Sequence, residues 1–206
     1  MTGPTRRLLL LAWRGDPPPA PDGWRSEAVL RDQSALDRAG SKGHTRPPYD
    51  TLWWSDEPGD ADAALPEKSA TAVARWAGFR FESRPAWDDA TPRGLRPEVK
   101  QVSFVSARAD LAPGEFGRHY REHVDVARVH HPAVCRYAQH DVVTVTGDAG
   151  LTPAGISELW FPDEATLVAR YFAGPDSVAV VRADNREYID YAGTLSLLVR
   201  PDDRGP

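Results

Sequence analysis

Between residues 116 and 161 the chain gathers side chains that can move protons and hold an aromatic ligand. They are Phe116, His119, Tyr120, His123, His130, His131, Tyr137 and His140, followed by the run Gly-Ile-Ser-Glu-Leu-Trp-Phe at 155–161. Only His44 among the histidines lies elsewhere. Phe116, Tyr120 and His123 fall about one helical turn apart, so a helix here places an aromatic ring, a phenol and an imidazole on one stripe fit to line a small-molecule pocket. Imidazole takes and returns protons near neutral pH, which enolisation, aldol cyclisation and dehydration all require. His123, one turn beyond Tyr120, is the first candidate catalytic residue, with His140 and His119 beside it. Phe116, Tyr120, Tyr137, Glu158 and Trp160 are the candidate substrate contacts.

Each of these residues also has a plainer role open to it. His119 and His123 are four apart and suit a zinc pair, but no HExxH or facial-triad pattern supplies further ligands, so no metal is expected. Helix histidines also hydrogen-bond backbone carbonyls or water. Tyr137 and His140 have opposite parity on a strand and share one pocket only across a bulge, whereas Glu158 and Trp160 share a face. A buried Glu158 demands a partner, Arg136 or a histidine, and would then form a core-edge ion pair. Trp160, Phe161, Tyr171 and Phe172 read as core aromatics. His130 and His131, directly before Pro132, read as a solvated helix exit, and Cys135 as an inert buried thiol.

The elements that must position these groups follow from the hydrophobic pattern. Residues 88–98 are polar with two prolines and a glycine, a linker that divides the chain into units at 1–90 and 98–200. In the second unit the spacing predicts a strand at 99–107, a helix from 113–116 to about 129, and strands at 134–145 and 155–161. A helix from 162 to 172, a short helix after Gly174-Pro175 and a strand at 195–199 complete it. That order, β-α-β-β-α-β, is the ferredoxin-like arrangement. The first unit reads as a degenerate copy: strands at 8–13, 49–54 and 76–82, and helices at 24–39 and 60–73. Six of the seven tryptophans (13, 24, 53, 54, 76, 87) fall in it.

Composition bounds the function classes. The chain has 206 residues, 41% hydrophobic and 27% charged, with 19 prolines, which suits an ordinary globular protein with a core. A net charge of −5 without a basic run argues against nucleic acid as partner. The apolar run after Arg6-Arg7 ends at Trp13-Arg14, too short for a signal peptide, and no stretch nears the roughly 20 apolar residues of a bilayer span. With one cysteine, no internal disulfide forms, and a cytoplasmic location without membrane partners is expected. Neither GxGxxG, GxxxxGK[ST] nor GxSxG occurs, so no cofactor is expected.

Phe116-x-x-His119-Tyr120-x-x-His123, Pro132, Tyr137, His140, Gly155-Ile-x-Glu158-Leu-Trp160-Phe161 and Asp184 together resemble the EthD domain of the dimeric α/β-barrel superfamily, over about residues 98–200. The resemblance implies an α+β fold of ferredoxin-like units whose sheets pack face to face into a barrel, here two fused units in one chain. It also implies a ligand between the helices and the sheet of one unit, with His123 directed toward that sheet. Related barrels include polyketide cyclases, dehydratases and cofactor-independent monooxygenases. The leading expectation is therefore a small-molecule enzyme, a cyclase or dehydratase, acting on a hydrophobic aromatic or polyketide-like substrate by histidine-assisted proton transfer. The alternatives are a cofactor-independent monooxygenase acting on a polycyclic phenol, a non-catalytic metabolite-binding accessory protein, or an interaction module built on the tryptophans. Homodimerisation through other surfaces is compatible with each.

Overall fold

The computed structural model describes residues 5–41, 48–55, 62–147 and 150–202. Eight strands close into a barrel: β1 (Thr5–Trp13), β2 (Trp24–Val29), β3 (Thr51–Ser55), β4 (Val73–Asp88), β5 (Val99–Ala107), β6 (Arg136–Gly147), β7 (Gly155–Phe161) and β8 (Ile189–Arg200). Around the barrel they run β1-β3-β2-β8-β5-β7-β6-β4. The first four strands thus stand in the order β4-β1-β3-β2 and the last four in the order β8-β5-β7-β6. Each is the strand order of a split βαβ sheet, so the chain builds within itself the face-to-face barrel of two ferredoxin-like sheets.

The two seams of the barrel differ. The sixteen-residue β4 pairs with β1 at its start and with β6 from Ala77 to Asp88. Pro85 lies beyond the end of the β1 pairing, on a stretch of β4 that keeps only β6 as a neighbour, the edge setting to which proline in a sheet is confined. The opposite seam is short, because β2 meets β8 only at Ala28↔Arg200 and Val29↔Val199. Gln33 extends it: its buried side-chain amide donates to the Leu198 carbonyl at 3.0 Å and accepts from the Leu198 N–H at 2.6 Å, standing in for a strand backbone.

Among the described residues, helices cover only the second sheet. They are α1 (Ser34–Arg38), α2 (Glu115–His130), α3 (Glu164–Arg170) and α4 (Pro175–Arg186). The expected helix at 24–39 is instead strand β2 followed by the five-residue α1. Its apparent helical pattern misleads because Glu27, which reads as a solvent position, points into the barrel and is buried by an ion pair. The expected helix at 60–73 is not found in the described residues either. Its described part, 62–73, holds only a 3-10 turn at Glu67–Ser69. In place of helices, the outer face of the first sheet is covered by its own aromatics. Trp13 and Trp53 pack at 5.2 Å with Leu9, Leu11, Ala63 and Val73, and Trp24 and Trp76 lie at the margin. None of the tryptophans is among the exposed large hydrophobics, so no solvent-facing tryptophan patch forms. Among the described residues no helix is long and apolar enough to cross a membrane.

Strand parity divides the second sheet into two working faces. Lys100, Val102 and Phe104 of β5, His140 of β6, Ile156, Glu158 and Trp160 of β7 and Leu197 of β8 face the barrel interior. The alternate residues, including Gln101, Ser103, Tyr137, Ser157 and Ser196, face α2, α3 and α4.

A candidate active site between the helices and the second sheet

A cavity of about 380 Å³ lies on that helix-covered face. Its floor is the alternating polar stripe of the sheet. Gln101 Nε2 donates to Ser103 Oγ at 3.0 Å, and Ser103 shares a 2.8 Å hydrogen bond with Ser196. Its walls are Tyr120 and His123 from α2, Tyr137 from β6, His131, Tyr171 and Phe172 from the segments around α3, and Val181, Arg182, Asn185, Arg186 and Tyr188 from α4 and its end. The first half contributes Gly40 and Ser41, because α1 packs over the second sheet with Ala35 and Leu36 in its core.

Helix α2 sets the chemistry. Gly114, at φ 85°, turns the chain left-handed before it, and Glu115 accepts from the Ala112 N–H at 2.8 Å, so the helix starts cleanly. Tyr120, His123 and Ala127 are its buried residues, spaced for one face. His123 Nδ1 donates to Asp184 Oδ2 of α4 at 2.6 Å, a bond that fixes the ring and leaves Nε2 as the nitrogen free to meet a ligand. Tyr120 is stacked on Phe116 at 5.2 Å and lies against Gly155, where a Cβ would come within 2.7 Å of its ring. Phe116 therefore supports Tyr120 from behind, in a cluster with Val105 and Tyr188, and does not reach the cavity lining. Tyr137 is held by Gln139 Nε2 at 3.0 Å and by the edge of Trp87 at 4.8 Å.

Burial sets the protonation of the walls. Tyr120, Tyr137, Tyr171 and Tyr188 are all pushed above the ordinary phenol range by desolvation and stay neutral donors. His131, expected at a solvated helix exit, is in fact buried. Its Nδ1 donates to the Tyr171 carbonyl at 2.7 Å, its ring packs on Tyr171 and Phe172, and desolvation lowers its pKa to about 4. His130 meets Ser177 Oγ at 2.9 Å.

The other sequence candidates lie elsewhere. His119 stands outside the cavity lining, beside Arg118 at 2.9 Å and parallel to Tyr188. Among the described residues no group of three histidine, cysteine or acidic side chains joins it and His123. His140, Glu158 and Trp160 are on the far side of the sheet, in the barrel, because β6 has no bulge between Tyr137 and His140 to bring both onto one face. There Lys100 Nζ lies 2.5 Å from both Glu27 and Glu158, His140 Nε2 donates to Glu158 at 2.8 Å, and Trp54 Nε1 donates to Glu27 at 2.8 Å. Burial raises the Glu158 pKa, but Lys100 and His140 overcome it and hold the carboxyl below its usual range. At Glu27 burial wins and the shift is upward. Arg136 pairs instead with Asp88 at 3.0 Å. Lys100 and Glu27 escaped the sequence reading because a single charge within an apolar strand does not name its partner. Asp184 lies 61 residues from His123, so no local pattern joins them.

No protein-family model matches the sequence, and no curated protein matches it. The structure is similar to the solved structure of an anthrone oxidase-like protein, with a TM-score of 0.53 and 11% identity over 96% of this chain and 90% of that one. At that identity the likeness speaks for the fold, and it establishes the chain as an α+β barrel of the dimeric α/β type.

Proposed function

We propose that this chain is a small-molecule enzyme in which His123, oriented by Asp184, acts as general base on a flat phenolic or polyketide-like substrate held in the cavity. The observation that carries the reading is the 2.6 Å His123–Asp184 pair, with His123 in the wall of a cavity whose lining includes four neutral phenols and several serines. The volume falls within the range of about 300–1,000 Å³ usual for small-molecule sites. Neutral tyrosines and serines donate hydrogen bonds to the oxygens of the substrate anion as it forms, and the apolar Leu159, Phe172 and Val181 exclude water from it. The EthD-like motif at 116–123 and the EthD-like Asp184 agree with this placement.

The fate of the substrate anion divides oxygenation from cyclisation or dehydration. The fold likeness to an anthrone oxidase-like protein favours oxygenation. In that case a ring CH₂ between aryl groups gives its proton to His123, the resulting anion reduces O₂, one oxygen remains as the new carbonyl, and the other leaves as water. Cyclisation or dehydration would use the same base without consuming oxygen. An oxygen electrode and product analysis with anthrones and with linear polyketide mimics separate the two. His123→Ala is expected to lower kcat by about 100-fold or more with the fold intact, and Asp184→Asn to lower kcat by about 10-fold or more with KM little changed, since it only positions the base. Wild-type turnover in His123→Ala overturns the proposal.

A further inference from the structure

We infer that the substrate is anionic at one end, an aromatic body carrying a carboxylate that Arg182 and Arg186 hold at the mouth of the cavity. The inference rests on the cavity being the substrate site and adds the charge of the molecule bound there. Helix α4 presents Val181, Arg182, Asn185 and Arg186 to the cavity, positions that share one face of a helix. Both arginines are exposed, and neither guanidinium has a carboxylate partner among the described residues. Elsewhere arginines near an acid are taken up, as Arg84 is by Asp141 at 2.7 Å and Arg128 by Asp89 at 2.7 Å.

The lining contains no aspartate or glutamate. Asp184, on the same helix, is tied to His123, and Asp190 turns back to accept from the Ala192 N–H at 2.9 Å. The charged part of the wall is therefore of one sign, while the interior is phenolic, hydroxylic and apolar. A neutral ring system suits the interior and has no use for two guanidinium groups. A planar carboxylate matches their donor geometry and meets no like charge. Such a contact also fixes the substrate's direction, presenting one ring carbon to His123.

Calorimetric titration of the full chain with a dihydroxyanthraquinone carboxylate and with its neutral carboxamide tests this. The wild type is expected to bind the carboxylate about 10-fold more tightly or better, with the margin shrinking as salt is added. The double variant Arg182→Gln/Arg186→Gln should lose that preference and keep its affinity for the carboxamide, whereas His123→Ala should keep the preference. Equal affinity of the wild type for both probes, or a preference that survives the double variant or disappears in His123→Ala, overturns the anion contact and leaves the cavity reading standing. Failure of both probes to bind at millimolar concentration overturns the two together.

Discussion

His131 makes stability depend on acid in a way that one substitution should reveal. The imidazole is 4% exposed in the cavity wall, and desolvation lowers its pKa from 6.5 to about 4. His123 and His130 oppose its protonation further, while the Tyr171 carbonyl favours it. In the unfolded chain the same ring protonates near 6.5. The folded form, holding fewer protons, therefore has its full advantage above pH 6.5 and loses it as pH falls toward 4. A difference of about 2.5 units at about 1.4 kcal/mol per unit corresponds to about 3 kcal/mol. Urea unfolding at closely spaced pH values from about 7.5 to about 3.5 measures the slope, with His131→Phe as the non-titrating control. The variant starts less stable, because the Tyr171 carbonyl loses its donor, but its stability should fall less steeply over that window, by about one proton's worth. Parallel curves for the two proteins would refute the reasoning and mean that His131 titrates normally in the folded state.

Gly155→Ala puts a methyl group 2.7 Å from a Tyr120 ring that is fully buried and cannot swing away, so it should cost about 1–3 kcal/mol in thermal or urea unfolding and weaken ligand binding in the cavity. Lys100→Met removes the cation between Glu27 and Glu158 and leaves two buried carboxylates, for an expected loss of about 3–5 kcal/mol. Adding Glu27→Gln and Glu158→Gln should restore part of it, and a mild effect of Lys100→Met alone would mean that the carboxylates are already protonated. Chelation should leave activity unchanged, because His119 lies outside the cavity that His123 lines and no acidic or imidazole cluster joins them among the described residues. Stoichiometric zinc in elemental analysis would contradict this.

The sequence by itself determined those features that repeat at short range. The strands at 99–107 and 155–161 and the helix bearing Phe116, Tyr120 and His123 are legible because periods of two and about 3.6 are local consequences of backbone geometry. The opposite parity of Tyr137 and His140 was legible for the same reason, although which of them faced the helices was not. Tertiary structure decided that, because a sheet with two buried faces gives both parities apolar or paired residues and so erases the usual inside-outside signal. It also decided that Trp24 begins a strand, since Glu27 is buried only through Lys100, far along the chain, and that tryptophans rather than helices cover the first sheet. The candidate base and its orienting carboxylate meet through the packing of α2 on α4, and Arg182 and Arg186 reach the same cavity from α4. Electrostatic and packing contacts depend on distance in space and leave no fixed spacing along the chain, so only the folded barrel brings these groups together.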